Sequence, residues 1–388
     1  MASHNKYCFF FASVLGIIIF NNEAAIEEEI EAIGNQQWLT VSLSSLFPSS
    51  TSSPNFTGLK KKSSLEVMQR HGPCCEEKHN GAEPKSPTHT DILSEDQERV
   101  NSIHSKLSKG FGHENMKQPD SASIPARSGV PIGSGGYIVT VGLGYRQCAN
   151  STQTCIYNVE YVDTSSSVGF LSKERLTIAA DTFDNFLFGC GQNNRGDSYG
   201  GAAGILGLGR HPISFVQQTA NTYNKVFSYC LPSTPSSVGH LTFGSGEVPK
   251  NVQYTPITTI PNLNWFYGIN IIGITVGGTT LSSATSTLSS AKAIIDVGTT
   301  ITRLPPSVYA ALRSEFQQKM AMYPMASELV ILDTCYDLSG YETVCLAFAP
   351  NKREEDVLIL GNVQQKTIEV VHDLNAERLG FGPPGGCK

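Results

Sequence analysis

The sequence predicts a mostly β protein of two lobes, preceded by a signal peptide and a pro-region. Short runs of alternating apolar and polar residues recur from Gly136 onward, as in strands that bury one face. Charged residues make up only 16% of the 388 residues, which suits strands and turns better than long surface helices. A break near Thr255-Pro256 separates a predicted N-terminal lobe, 129–254, from a C-terminal lobe, 255–388, and the chain is long enough for both.

The first 24 residues are predicted to be a signal peptide. Tyr7 to Phe20 is strongly apolar and follows His4 and Lys6. This stretch is too short and too close to the N-terminus for a membrane span, so we expect a secreted protein without one. A Ser/Thr-rich tract at 42–57 leaves an organelle transit peptide as an alternative.

Residues 25–128 are predicted to form a pro-region, since they are polar and poor in strand patterns. One helix stands out: Ser94 and Gln97 form a capping-box pattern, and Val100, Ile103 and Leu107 follow at helical spacing. Such a helix could dock on a cleft before processing. A merely amphipathic leader helix explains the pattern equally well.

Both lobes contain strand patterns and few helices. Strands are predicted at Tyr137–Gly144, Cys155–Val162, Asn185–Gly191, Leu241–Gly244 and Phe266–Gly278. Pro305-Pro306 introduces a helix whose shared face comprises Val308, Ala311, Leu312 and Phe316.

An internal echo supports two related lobes. Gly204-Ile-Leu-Gly-Leu-Gly in the first half resembles Leu358-Ile-Leu-Gly-Asn-Val in the second. Each unit could let backbone pass closely beneath an active-site loop, because glycine has no side chain to obstruct it.

The ten cysteines fit an oxidising compartment. Neither C-x-x-C nor H-E-x-x-H occurs, so we expect no zinc site and no cofactor. Disulfides are plausible between Cys335 and Cys345, and between Cys190 or Cys230 and Cys387, but spacing leaves the pairing open. A net charge of -6 gives no general attraction to nucleic acid.

The candidate catalytic residue is Asp296. An apolar run, Ile294-Ile295, leads into an Asp-x-Gly-Thr turn that would lift this carboxylate out of a sheet. Gly298 forms part of the turn, and Thr299 could hydrogen-bond the carboxylate. The sequence contains one such turn, without a counterpart in the first half.

Several further segments occur in an order that makes chance matching very improbable. They are Leu65–Cys74, Val100–Leu107, Phe188–Gly191, Ala203–Arg210, Phe227–Leu231, Ile295–Thr299, Leu358–Asn362 and Arg378–Phe381. Together they resemble the plant branch of the pepsin-like aspartic proteases, the nepenthesin-like group. That group includes chloroplast-nucleoid aspartic proteases and, as non-catalytic cousins, wheat-type xylanase inhibitors.

The resemblance implies a bilobal β fold, monomeric, with a central cleft that binds a peptide or protein substrate. It places Tyr161 as the flap tyrosine that closes over substrate, although an ordinary aromatic residue on a strand face explains Tyr161 equally well. It also leaves chloroplast or vacuole as alternatives to secretion into the apoplast.

The sequence departs from the family in its first lobe. The strand Tyr137–Gly144 should be followed by the first Asp-Thr-Gly-Ser loop, yet the chain runs almost directly to Cys155. The N-terminal lobe is therefore predicted to be truncated. A second gap is predicted between Val344 and Cys345, and Val297 stands where the family usually has Ser or Thr. Asp163, on the flap-like segment, is not expected to replace the missing aspartate.

These departures bear on the chemistry. Two facing carboxylates share one proton, so that one acts as base on a water while the other polarises the peptide carbonyl. One carboxylate alone can perform neither half of that cycle well. We therefore expect Asp296 to approach an ordinary pKa and catalysis to be impaired. Valine at position 297 also lacks the hydroxyl that would tie the two loops together.

Whether the chain is an enzyme stays open between three hypotheses. It could be an aspartic endopeptidase whose sequence lacks a skipped coding segment or reflects a faulty gene model. It could be a pseudo-protease that binds a peptide or an enzyme, as the xylanase inhibitors do. Or it could be a homodimer that pairs two Asp296 loops, as retroviral proteases pair theirs.

Overall fold

A computed structural model describes most of the second lobe and parts of the rest of the chain. The described residues are 7–10, 15–19, 64–69, 88–109, 137–138, 142–143, 156–160, 166–178, 181–195, 204–232, 238–246, 248–249, 251–261, 264–338 and 343–383. Strands predominate within these ranges, which confirms the predicted mostly β class.

The regular elements are numbered along the chain. The strands of the leader and first lobe are β1 (Tyr7–Phe10), β2 (Leu15–Ile19), β3 (Ser64–Gln69), β4 (Tyr137–Ile138), β5 (Gly142–Leu143), β6 (Ile156–Glu160), β7 (Ser166–Ile178), β8 (Asp181–Arg195), β9 (Val226–Cys230), β10 (Val238–Phe243) and β11 (Gln253–Pro256). Those of the second lobe are β12 (Tyr267–Ile269), β13 (Ile271–Val276), β14 (Thr279–Thr280), β15 (Ala293–Ile295), β16 (Thr302–Leu304), β17 (Met325–Ala326), β18 (Cys335–Tyr336), β19 (Thr343–Leu346), β20 (Phe348–Pro350), β21 (Leu358–Leu360), β22 (Glu369–Asp373) and β23 (Arg378–Phe381). The α-helices are α1 (His89–Lys109), α2 (Phe215–Gln218), α3 (Ala220–Tyr223), α4 (Ser282–Ser290) and α5 (Pro306–Lys319), and a 3₁₀ helix spans Asn362–Gln365.

A seven-stranded sheet joins distant parts of the chain, in the order β11-β23-β22-β9-β10-β3-β4. Its centre is the antiparallel pair β22–β9, with Val371 opposite Ser228. Strand β3 comes from the predicted pro-region, which we had expected to be poor in strands. It pairs with β10, and its alternating apolar residues include the buried Val67.

The second lobe is organised around a five-stranded sheet, in the order β12-β15-β21-β16-β20. Strands β15 and β21 run parallel, with Ile294 opposite Ile359. Helix α5 confirms the helix predicted after Pro305. Three of its predicted core residues, Val308, Leu312 and Phe316, are buried, and Ala311 packs partly buried against them.

Part of the first lobe forms a separate antiparallel sheet of β5, β7 and β6, with β8 paired along β7. Strands β6 and β8 confirm the predicted strands near 155–162 and 185–191. Two predicted strands are divided instead. Tyr137–Gly144 gives β4 and β5 in different sheets, and Phe266–Gly278 gives β12 and β13 in different sheets.

Two strands of the uncleaved chain lie within the predicted signal peptide. Strand β1 pairs in parallel with β19, and β2 pairs antiparallel with β13, with Ile17 opposite Ile274. The gap predicted between Val344 and Cys345 falls within β19, which is a continuous strand. The boundaries proposed for signal, pro-region and lobes stay predictions.

Helix α1 is the helix predicted in the pro-region, but its start was wrong. The reciprocal cap is formed by Thr88 and Asp91: the Asp91 amide donates to Thr88 Oγ1 (3.2 Å), and the Thr88 amide donates to Asp91 Oδ2 (2.8 Å). The helix therefore begins at His89, before the Ser94–Gln97 pattern, because this earlier pair satisfies the first free amides. Val100 and Ile103 are buried as expected, whereas the Leu107 side chain lies outside the described part.

The disulfide between Cys335 and Cys345 is confirmed, and it links the neighbouring strands β18 and β19. Cys190 and Cys230 each take part in a disulfide bond as well. Because Cys387 lies outside the described residues, its pairing stays a prediction. Across the described part of the chain, none of the helices is both long and apolar enough to cross a membrane.

Candidate functional site

Asp296 lies immediately after β15, in a loop held against the end of β21. The Asp296 amide donates to the Leu360 carbonyl (3.1 Å), and the Asn362 amide donates to the Thr299 carbonyl (2.7 Å). Gly361 makes this approach possible, because a Cβ there would lie 2.7 Å from the Thr300 carbonyl oxygen. The second Gly-containing unit thus passes beneath the loop, as the sequence predicted.

The Asp296 carboxylate accepts two hydrogen bonds from its own loop. Thr299 Oγ1 donates to Oδ2 (2.6 Å), the hydrogen bond that the sequence suggested for Thr299. The Gly298 amide donates to Oδ1 at 3.2 Å. The side chain is only 10% exposed, so these loop donors replace most of its water.

The charged partner of Asp296 is Arg99, on helix α1. Its Nε donates to Oδ2 and its Nη2 donates to Oδ1, both at 2.9 Å, in a bidentate ion pair. Burial by itself would raise the pKa of Asp296. The Arg99 charge and hydrogen bonds, with those of Thr299 and Gly298, outweigh it and hold that pKa below its ordinary value.

Our expectation of an ordinary pKa for Asp296 was therefore wrong. It considered the missing carboxylate but not a cation in its place. Arg99 was missed because 197 residues separate it from Asp296. One sequence feature could have indicated Arg99. It lies next to Val100, which is on the apolar face of a helix that was expected to be able to dock on the cleft.

Helix α1 also contributes a carboxylate, Asp96, which accepts hydrogen bonds from the same loop. Asp96 accepts from the Thr300 amide through Oδ1 and from the Ile301 amide through Oδ2 (3.3 Å). Its Oδ2 also accepts from Arg303 Nη2 at 2.8 Å, while Gln97 Oε1 accepts from Arg303 Nη1 at 2.6 Å. Arg303 is 1% exposed, so this ion pair is shielded from water.

Apolar contacts accompany these polar ones. Leu93 packs in a buried cluster with Ile301 and Leu332, and Val100 and Ile103 pack in another with Ile294. Beyond them, the buried ring of His104 places Nε2 at 3.0 Å from the Val357 carbonyl oxygen. Helix α1 therefore lies across the Asp296 loop along three of its turns.

The Gly-containing unit of the first half has a different environment. A Cβ at Gly204 or Gly207 would meet no described atom within 4 Å. Ile205 and Ile213 are each about half exposed, at 52% and 49%. Trp265, 40% exposed, lies beside this segment, since its carbonyl accepts from the Arg210 amide (3.2 Å).

Some predicted features are not placed. Tyr161 and Asp163 lie outside the described residues, so the flap role of Tyr161 stays a prediction. Val297 is 37% exposed, and its carbonyl accepts from Asn362 Nδ2 (3.0 Å). Among the described side chains, no three His, Cys, Asp or Glu residues are grouped so as to hold a metal ion.

Chemically, the arrangement holds Asp296 as an ionised acceptor. A carboxylate whose pKa is lowered is a weaker base toward a bound water. The guanidinium also occupies both carboxylate oxygens, where a water would have to bind. In the described part of the chain, Asp296 thus faces a cation rather than a second carboxylate.

Comparisons with known proteins relate both halves of the chain to one family. Residues 139–245 match the family described as xylanase inhibitor N-terminal, and residues 266–343 match xylanase inhibitor C-terminal. An aspartyl protease family protein of Arabidopsis thaliana is 41% identical over 459 aligned positions, covering 94% of this chain and 95% of the relative. The Arabidopsis aspartyl protease AED1 is 38% identical, covering 89% and 92%.

The first alignment also measures what this chain lacks. Since 94% of 388 residues is about 365, about 94 of the 459 aligned positions have no residue in this chain. Among solved structures, the crystal structure of edgp is similar with a TM-score of 0.52 and 19% identity, covering 62% of this chain and 76% of that one. This last likeness concerns the fold alone.

Proposed function

Because the chain belongs to the plant family of pepsin-like aspartyl proteases, we propose that it is a member whose peptide-bond hydrolysis is impaired. The observation that carries the proposal is the bidentate Arg99–Asp296 ion pair, with both contacts at 2.9 Å. Family membership supplies the aspartic peptidase fold and Asp296, and the local geometry opposes its use as a base.

Water attack on a peptide carbonyl needs one group that takes a proton from water and another that polarises the carbonyl. Asp296 is stabilised in its ionised form, and Arg99 holds both of its oxygens. A guanidinium keeps its proton at all physiological pH values, so it cannot exchange protons as a second aspartate would.

Two observations support a missing first loop. About 94 aligned positions of the Arabidopsis relative have no residue here. Among the described residues, no atom lies within 4 Å of a Cβ at Gly204 or Gly207, in the segment that the echo relates to the support beneath Asp296.

The test is a peptidase assay on the full chain at acidic pH, using an unfolded protein substrate with and without pepstatin. We expect no pepstatin-sensitive hydrolysis. The variant Asp296→Ala should leave any residual activity unchanged. Pepstatin-sensitive hydrolysis that disappears in Asp296→Ala would contradict the proposal.

A second candidate function is non-catalytic binding of a protein, such as an enzyme. Both family matches carry the xylanase inhibitor description. Ile205 and Ile213 are exposed in one segment, and the exposed Trp265 contacts that segment through its carbonyl. Exposed apolar patches of this kind often mark protein-binding sites. His211 contacts Trp265 with ring centroids 4.8 Å apart, in a tilted arrangement, and adds an aromatic surface.

This candidate is tested by calorimetry with a purified endo-xylanase. Binding that weakens in Trp265→Ala, but not in the exposed control Met322→Ala, would favour it. Equal heats for a xylanase and an unrelated protein of similar charge would exclude xylanase as the partner.

A further inference from the structure

We propose that helix α1 is a permanent part of the folded protein and stays in its groove after the chain on both sides of it is cut. The helix groove is the surface formed by the loop Asp296–Arg303 with the apolar residues Ile260, Ile294, Leu332 and Val357. The chemistry that it recognises is an amphipathic helix with an aspartate and an arginine three residues apart. The chain supplies this helix from its own leader.

The polar contacts define the register of the helix in the groove. Asp96 accepts from two consecutive loop amides, those of Thr300 and Ile301, and pairs with the buried Arg303. One turn later, Arg99 pairs with Asp296. Residues three apart lie on one face of a helix, so both ion pairs form only in one register.

The apolar contacts extend this register over the length of the helix. Leu93 is 0% exposed, Val100 2% and Ile103 1%, and all three pack against second-lobe residues. Burial of these apolar side chains stabilises the docked helix, because it removes their surface from water. Removal of α1 would leave their partners, including Ile294 and Leu332, as an exposed apolar surface.

Arg303 makes departure of the helix still less favourable. Its two hydrogen-bonded nitrogens donate to Asp96 and Gln97, both on α1. Its Nε has no partner among the described residues. Truncating one side of a buried ion pair is strongly destabilising, because the remaining charge is left without compensation.

This inference shares Arg99 with the proposed function, but it depends mainly on Asp96 and the apolar contacts. The contacts reach from Leu93 to His104, well beyond Asp296. They include the backbone amides of Thr300 and Ile301, which donate to Asp96.

The experiment cuts the chain on both sides of the helix. Cleavage sequences for a specific protease are inserted between Glu83 and Pro84 and between Gln118 and Pro119 of the full chain. The excised segment 84–118 contains no cysteine, so a disulfide cannot retain it. Size-exclusion chromatography and intact mass then measure whether the segment stays with the body at micromolar concentration.

We expect the segment to co-elute with the body. Asp96→Ala should increase its loss at least tenfold, whereas the exposed, neighbouring Glu98→Gln should not. If Asp96→Ala fails to fold, the wild-type protein is cut and its retained segment is challenged with an excess of labelled synthetic peptide 84–118, which should exchange in at least tenfold more readily than the same peptide with Asp96→Ala. Loss of the wild-type segment at micromolar concentration overturns the proposal.

The outcomes also separate this inference from the proposed function. If segment 84–118 dissociates and the remaining protein shows no pepstatin-sensitive hydrolysis, only the proposal that the helix is retained is overturned. A retained segment with pepstatin-sensitive hydrolysis overturns the impaired-peptidase proposal alone. Dissociation that switches on such hydrolysis overturns both.

Discussion

Gly298 lies against the guanidinium of Arg99, and this contact depends on the absence of a side chain. A Cβ at position 298 would lie 2.5 Å from Arg99 Cζ and from Nη2. An arginine side chain can move away, but it would then lose its bidentate geometry with Asp296. The conformation of the aspartate loop and the charge that faces it are therefore coupled through one glycine.

We expect Gly298→Ala to displace Arg99 and to let the pKa of Asp296 rise toward and above its ordinary value, since burial would remain. Loss of a charge-assisted contact worth about 1.5–3 kcal/mol should weaken retention of segment 84–118 roughly tenfold or more. Carboxyl-carbon NMR titration of Asp296 measures the first effect, and the excision experiment measures the second.

The matched control is Gly204→Ala, because a Cβ at that position meets no described atom within 4 Å. That variant should leave both readouts unchanged. An unaltered Asp296 titration in Gly298→Ala would show that Arg99 is not what holds the carboxylate ionised.

At this scale the sequence predicted local partners and missed the distant one. Thr299 was found because it is three residues from Asp296 in the same turn. The Arg99 contact depends on how a helix about 200 residues earlier docks, and no local pattern encodes that docking. Local patterns therefore indicated Asp296 and its loop donor Thr299, whereas the cation that faces Asp296 comes from a distant helix.

Among the elements, helix α1 begins earlier in the structure than the sequence pattern predicted. The caps at Thr88 and Asp91 satisfy amides at the first turn, while Ser94 lies exposed within the helix. Since the first turn of a helix has four amides without internal partners, the residue that caps them contributes to its stability.

We expect Thr88→Ala to destabilise the protein by about 1 kcal/mol, through loss of the cap. Ser94→Ala, at the position that the sequence suggested as the cap, should have little effect or slightly stabilise the helix, because alanine is the better helix former. Urea unfolding at neutral pH compares the two variants. A larger loss of stability in Ser94→Ala than in Thr88→Ala would show that Ser94 is the helix cap, as the sequence pattern suggested.

Strands and helices were predictable to different degrees. Helix α5 was predicted from Pro305-Pro306 and one apolar face, both of which are local signals. The division of Phe266–Gly278 into β12 and β13 was not predictable, because alternation continues through Asn270 while the partners change. Strand β3 was missed because a short alternating run in a polar leader gives little signal until it pairs with β10.

In the whole molecule, His372 lies where the seven-stranded sheet meets the second lobe. Its ring, 3% exposed, stacks on Phe227 of β9 at 4.4 Å and meets Tyr267 of β12 edge-on at 4.6 Å. Its Nδ1 has no hydrogen-bond partner among the described residues. Burial lowers the pKa of His372 from 6.5 to about 3.

This histidine should make the fold acid-sensitive. The unfolded chain takes up its proton near pH 6.5, but the folded protein does so only near pH 3, so stability falls as the pH decreases between those values. We expect His372→Phe to reduce the drop in Tm between pH 7 and pH 4, because phenylalanine keeps the stacking and binds no proton. Thermal unfolding at both pH values measures it.

The comparison variant is His211→Phe, because the His211 ring is exposed and also contacts an aromatic residue, Trp265. It should leave the pH dependence as in the wild type. If both variants behave alike, the buried histidine does not limit stability in acid.

The fold class and family followed from many dispersed motifs in a fixed order, so the loss of one segment did not hide them. The docking of α1 on the Asp296 loop did not follow, because a local pattern shows that a helix has an apolar face but not which surface covers it. The docking depends on surface complementarity between segments far apart in the chain.

The pairing of β2 with β13 has a consequence for timing during synthesis. If residues 1–24 are a targeting signal, as we propose, its apolar core is also a strand whose partner starts about 250 residues later. At ~5–20 residues per second, a ribosome needs roughly 10 to 50 s to make that partner. During this interval a targeting receptor can capture the segment without competition. In a chain released before capture, the apolar segment would pair with β13, and the receptor could no longer bind it.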